Sequence, residues 1–189
     1  MAVRANPRRL VTQDDFVALA RRRFLKGERL DVAGLAAELG VSRATAYRWA
    51  GNVEELTGQV IKTMVEATFE LTKREAEGEG PARIVDMLMR GARYIASGPY
   101  RDWITREDPE RALRIVASQF GPVHRTTIKL WEDFLTEEAA AGRVRLHTDP
   151  HTTAYMIVRI SDSFLYSDLI IGEEPDIEKA ADIFELLVY

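Results

Sequence analysis

Between Ser42 and Trp49 the chain places two arginines, Arg43 and Arg48, around Thr45 and Tyr47. A guanidinium presents a fixed fork of donors that fits guanine O6 and N7, and a threonine methyl suits thymine. Serine, threonine and tyrosine hydroxyls reach phosphate oxygens, as do the amides at the start of a helix. These side chains can act together on nucleic acid only if one short helix carries them, because a major groove admits an element of that width. Ser42, Arg43, Ala44, Thr45, Tyr47, Arg48 and Trp49 are therefore the candidate DNA contacts. Arg43 and Arg48 are assigned to base edges, and Ser42, Thr45 and Tyr47 to the phosphate backbone.

Such a helix needs a second helix behind it. Asp31 is a good N-cap, and Val32, Leu35, Ala36 and Leu39 recur at the spacing of one buried helical face. Gly40 then suits a left-handed stop, Val41 a plug between helices, and Ser42 the cap that starts the reader. Ala46 and Ala50 fall on its inward side. The pattern is a helix-turn-helix, although the same residues also fit an ordinary helical hairpin with Tyr47 and Trp49 as packing aromatics. Charge separates the two. Residues 1 to 60 hold ten Arg and Lys against seven Asp and Glu, a net of +3, whereas residues 61 to 189 hold sixteen against twenty-three, a net of −7. A positive head on an acidic body suits docking on DNA through one face. Upstream, Thr12 caps a helix to about Lys26 with Phe16, Leu19, Ala20 and Phe24 inward, and Arg21, Arg22 and Arg23 read as a solvated face. Residues 1 to 11, with Arg4, Arg8 and Arg9, read as a flexible basic arm, either a solvated tail or an extra anchor.

The 189 residues include no cysteine, so disulfides and thiolate metal sites are excluded. Neither a signal-peptide stretch nor a run of about 20 apolar residues occurs, and a cytoplasmic protein is expected. The excess of arginine over lysine, twenty-one to five, fits a GC-rich bacterial genome. No phosphate loop, nucleophile elbow or metal-spaced histidine set occurs, and His124, His147 and His151 lie on separate segments. An enzyme is not expected, and no catalytic residue, metal ligand or cofactor is assigned.

Beyond the reader the chain reads as helix throughout, so the fold class is all-α. A helix from Val53 to about Glu77 is followed by one opened by Pro81 and broken at Gly98 and Pro99. A loop is expected through Trp103, then helices from Asp108 to about Gln119, through Ile128 and Trp131 to Gly142, from Asp149 to Ile171, and from Asp176 to the end. That makes nine. The eighth is apolar nearly all round except for a stripe of Tyr155, Arg159, Asp162 and Tyr166, and the ninth repeats the demand for cover. A two-fold homodimer through these two helices meets it and would present two readers to a palindromic operator.

Residues 12 to 61 resemble the N-terminal domain of the TetR family of bacterial repressors, with Gly40, Val41, Ser42, Thr45, Tyr47 and Leu56 in place. The resemblance implies the nine-helix architecture, with residues 1–52 as a three-helix DNA-binding domain and 53–189 as a ligand-binding and dimerisation domain. It implies a repressor released from its operator by a small-molecule effector that occupies a cavity among the middle helices. The candidate cavity residues are Trp103, Arg106, Phe120, His124, Trp131, Phe134, Tyr155, Arg159 and Asp162, which mix aromatic walls with polar groups. Trp131 and Phe134 fit plain core packing better than a ligand wall, and the Arg159 and Asp162 pair fits a buried ion pair, a dimer contact or a ligand clamp. Two positions depart from the family pattern. Ala50 stands where a Phe or Val usually braces the reader, and Val53 where a Lys usually meets phosphate, so Trp49 and the N-terminal arginines are expected to take more of the docking. The Tyr-Arg-Trp run followed by Gly51 is similar to an actinobacterial, QsdR-like branch linked to lactone catabolism, which points to a lactone or its hydroxy acid as effector. The rival reading is a helical protein-interaction module that does not bind DNA.

Overall fold

The computed structural model describes residues 10–118, 121–174 and 177–188, and among them every regular element is helical. The arginines of the basic arm and the cavity candidate Phe120 lie outside the described residues. Three short helices, α1 (Gln13–Leu25), α2 (Val32–Leu39) and α3 (Arg43–Ala50), precede the long α4 (Val53–Glu75). Then follow α5 (Gly80–Ser97), α6 (Pro99–Arg106), α7 (Pro109–Val116), α8 (Pro122–Ala140), α9 (Pro150–Leu165), α10 (Ser167–Ile170) and α11 (Ile177–Val188).

Local chemistry sets most helix starts. Thr12, Asp31, Ser42, Asn52, Asp108 and Asp149 each accept a hydrogen bond from an amide of the first turn that has no partner within its helix. Prolines open α6, α7, α8 and α9, where a missing N–H costs nothing.

The nine expected helices are present, with two additions. The segment from Pro99 to Trp103 is not a loop, because its proline starts α6 instead of stopping a helix, and Tyr100 and Ile104 bury one face of the new turn. The helix expected to reach Ile171 ends at Leu165. Tyr166 leaves helical geometry with φ −115° and ψ 19°, and the Ser167 hydroxyl donates to the carbonyls of Phe164 and Glu173 across the break into α10.

Two hydrophobic cores divide the molecule. One gathers Phe16, Phe24, Leu35, Ala46, Leu56 and Ile104, so α6 and α7 share a core with the three N-terminal helices. The other joins Phe69, Met87, Phe134, Leu135, Ile157 and Phe184. Helix α4 runs through both, contributing Val60 and Ile61 to the first and Phe69 to the second.

Candidate functional site

The turn between α2 and α3 forms as its residues dictate. Asp31 accepts from the amides of Ala33 and Gly34 at 3.1 and 3.0 Å. Gly40 is left-handed at φ 68°, and Val41 tucks half-buried against the first core. Ala46 and Ala50 are fully buried, which turns Arg43, Ala44, Tyr47 and Arg48 outward. Tyr47 is 51% exposed, and none of Arg43, Tyr47 and Arg48 forms a side-chain hydrogen bond or ion pair among the described residues. These three are free to meet a ligand.

Ser42 and Trp49 are placed differently. The Ser42 hydroxyl accepts from the Thr45 amide at 3.1 Å and donates to Thr45 Oγ1 at 2.9 Å, so it is occupied by the cap. What remains for a phosphate at this helix start is the backbone amides and the Thr45 hydroxyl hydrogen. Trp49 is half-buried edge-on to Phe16, with ring centroids 6.1 Å apart, and serves as packing. A brace that sequence reasoning missed sits beneath it. Gln13 and Gln59 donate to the Trp49 carbonyl at 3.0 and 3.1 Å, tying the end of α3 to α1 and α4. Two exposed-looking glutamines carried no periodic signal, because the carbonyl they meet is defined only once three helices converge. Arg23 is also engaged, pairing with Glu28 and Glu38 to hold α1 against α2.

At the seam between the two cores lies a cavity of about 360 Å³, walled by α4, α5, α6, α8 and α9. Its walls are mostly apolar, with Met64, Phe69, Leu88, Trp131 and Leu165 among them. Polar side chains break that surface, Thr68, Thr127, Ser161 and two facing pairs among them. Tyr100 and Tyr166 share a hydrogen bond of 2.7 Å between their hydroxyls, and burial raises both phenol pKa values, so both stay neutral. His124 Nδ1 lies 3.6 Å from Asp162 Oδ2, beyond hydrogen-bond reach, and both atoms are fully buried without a hydrogen-bond partner, with Arg159 Nη1 also 3.6 Å from Oδ2. His124 is 6% exposed and the Asp162 side chain 16%.

Of the nine cavity candidates, His124, Trp131 and Asp162 line this space. The others do not. Trp103 packs on Phe24 and Tyr100 in the first core, and Phe134 lies in the second core beneath Lys73 and Arg83. Arg106 is exposed and donates to the Asp102 carbonyl at 2.7 Å. Tyr155 and Arg159 face outward on α9 because the helix turns its apolar side, Ala154, Ile157 and Val158, into the second core. The polar stripe on α9 therefore splits, with its first two members outside and Asp162 and Tyr166 inside. Tyr100 was hidden by the loop expected over its segment.

Helix α6 links cavity and reader. Pro99 and Tyr100 at its start line the cavity, Trp103 packs on Phe24 of α1 at 5.7 Å, and the Arg106 guanidinium lies beside Gly27. Arg111 adds a second tie from α7, meeting Glu54 at the start of α4 at 3.1 Å.

Comparison with known proteins agrees with this arrangement. The family model described as the tetracyclin repressor-like C-terminal domain matches residues 79–189. No curated protein matches the chain. Among solved structures, the transcriptional repressor QsdR of R. erythropolis is 32% identical, covers 93% of each chain and superposes with a TM-score of 0.86. AlkX of Dietzia sp. strain DQ12-45-1b, a TetR family repressor implicated in n-alkane biodegradation, is 20% identical over 98% of this chain and 95% of its own, with a TM-score of 0.63. FadR of Bacillus subtilis, solved with stearoyl-CoA, is 13% identical over 93% and 96%, with a TM-score of 0.52, and shares the fold. With an all-helical body, a capped helix-turn-helix at its head and these matches along its length, the chain belongs to the TetR family of transcriptional regulators.

Proposed function

We propose that this protein is a homodimeric repressor whose grip on a palindromic operator is released when a small molecule fills the cavity between its two cores. Residues 1–52 read DNA and residues 53–189 sense and pair. Arg43 and Arg48 take base edges, while Thr45, Tyr47 and the amides after Ser42 hold phosphates. Pairing runs through α9 and α11, the eighth and ninth helices of the family plan, whose outer faces expose Tyr155, Ile183 and Leu186, the last 76% exposed. An apolar face of this kind fits a two-fold four-helix contact.

The observation that carries the reading is the position of α6, with one end in the cavity wall and the other on α1. A molecule pressing on Tyr100 moves a rigid helix of eight residues, and Trp103 passes that motion to Phe24 and the reader. Within a dimer, a small rotation of each reader changes the spacing of two half-sites that must match one turn of DNA. Fluorescence anisotropy with DNA from upstream of the protein's own gene tests this. Saturable binding that weakens steeply with salt is expected, and its absence would favour a protein-interaction module instead. The Trp103→Ala variant should still bind a cavity ligand but lose most of the ligand-induced release. Unchanged release in that variant would remove α6 from the relay.

A further inference from the structure

The cavity wall offers hydroxyls to a ligand but no usable charge. Apart from tyrosines, the titratable side chains among its described lining residues are His124 and Asp162. Their facing atoms, Nδ1 and Oδ2, are sealed from the cavity, and Oδ2 stands 3.6 Å from both the imidazole and the Arg159 guanidinium. The carboxylate is thus answered within the protein. Thr68 lies on the stripe of Ile61, Met64, Val65 and Thr72 that α4 turns to the cavity at steps of three and four, and Ser161 lies between Val158 and Leu165 on the matching stripe of α9. Both are half-buried, and neither hydroxyl is sealed or hydrogen-bonded among the described residues. The other wall hydroxyls are engaged. Thr72, Ser97 and Thr127 donate to carbonyls of their own helices, Tyr94 donates to Glu75, and Tyr100 and Tyr166 are bonded to each other and buried.

Resting on the reading of this cavity as the effector site, we propose that its occupant is an uncharged, mainly apolar molecule whose one polar group accepts a hydrogen bond from Thr68 or Ser161. A buried carboxylate, sulfonate or phosphate loses its water and meets no cation in the wall. An ammonium fares no better, because the one carboxylate there already faces Arg159. An uncharged oxygen surrenders far less hydration, and a hydroxyl hydrogen that lacks an acceptor replaces it. A carboxylic acid therefore enters only in its protonated form. The size follows from the volume: 360 Å³ holds about a dozen non-hydrogen atoms at roughly 30 Å³ each.

The test is titration calorimetry on the full-length protein without DNA, using 1-octanol and 2-octanone as uncharged probes against octanoate, octanesulfonate and octylamine. At about pH 8 both uncharged probes should bind at least about tenfold tighter than the three ions. Octanoate should then gain about tenfold per unit as the pH falls to about 6, because the protonated share grows by that factor above the carboxyl pKa. The sulfonate, ionised throughout, should stay weak, and 2-octanone level. A flat octanoate profile overturns the proposal, as does a sulfonate that binds as tightly as the ketone at either pH, which would make His124 an anion site. Octylamine matching the ketone also overturns it, assigning Asp162 to a cation, and so does failure of both uncharged probes to bind. In the combined Thr68→Val and Ser161→Ala variant, 2-octanone should bind about three- to tenfold weaker, the margin of one hydrogen bond, and unchanged affinity overturns the choice of donors. Operator anisotropy with the same probes separates the two claims. Release by an ionised probe alone overturns the uncharged occupant and keeps the effector reading. Tight 2-octanone binding with no release overturns the effector reading and keeps the preference for uncharged molecules.

Discussion

Gly91 offers a way to close the cavity without touching the reader. It lies inside α5, lines the cavity, and a Cβ built on it would meet only Thr72 Cγ2, at 4.0 Å. Gly91→Ala should therefore stabilise the protein by about 1 kcal/mol, since alanine removes the entropic cost of a helical glycine and clashes with nothing. Gly91→Leu goes further. Its four side-chain carbons occupy about 120 Å³, taking roughly 30 Å³ per heavy atom, which is about a third of the 360 Å³ available. Filling void at about 24 cal/mol per Å³ returns up to about 3 kcal/mol, and ordering the leucine costs about 0.5–1 kcal/mol of that. The leucine variant should thus exceed the wild type by about 2 kcal/mol and melt about 4–8 °C higher. Urea and thermal unfolding at one protein concentration measure both. Calorimetry with 1-octanol should show binding weakened at least about tenfold, while operator affinity without ligand stays unchanged, giving a repressor that no longer lets go. A leucine variant less stable than the alanine one, or one that binds the probe as well as wild type, would refute the claim that open space faces Gly91.

The remaining predictions concern the reader and the second core. Asp31→Ala removes the bonds to the Ala33 and Gly34 amides, and urea unfolding should show a loss of about 1 kcal/mol. Arg48→Ala should relax preference at one operator position in a competition assay, whereas Tyr47→Phe weakens binding to all sequences alike; equal patterns would merge the two roles. Arg143 bonds buried Glu138 at 2.7 and 2.9 Å and holds its carboxyl below the ordinary value of 4.5. A depressed pKa gives stability that is full above pH 4.5 and lost as pH falls through the folded value. Glu138→Gln should therefore cost about 1–2 kcal/mol at neutral pH, and the gap to wild type should narrow in acid.

Local signals in the chain are strong wherever one residue decides one conformation. Asp31, Gly40 and Ser42 fix the turn because capping and a left-handed glycine need no partner from elsewhere. The inward alanines of the reader and the spacing of Phe16, Leu19, Ala20 and Phe24 follow from helical period alone. The expected loop over Pro99 failed for the complementary reason. A proline marks both helix starts and helix ends, and only the burial of Tyr100 and Ile104 against other helices shows which it does here.

The sequence by itself determined the all-helical class, the reader and its outward arginines, since these rest on contacts within a few residues of chain. The cavity was decided by tertiary structure alone. His124 and Asp162 are 38 positions apart on helices joined by a turn, and no period relates them. Nor does any period separate them from Arg159 and Tyr155, which share the α9 stripe with Asp162 but face outward. Trp49 makes the same point at the other end, reading as a DNA contact on a helical wheel yet held edge-on by Phe16. A wheel reports direction about one axis, whereas burial depends on which other axes converge there, and that is a property of the packed molecule.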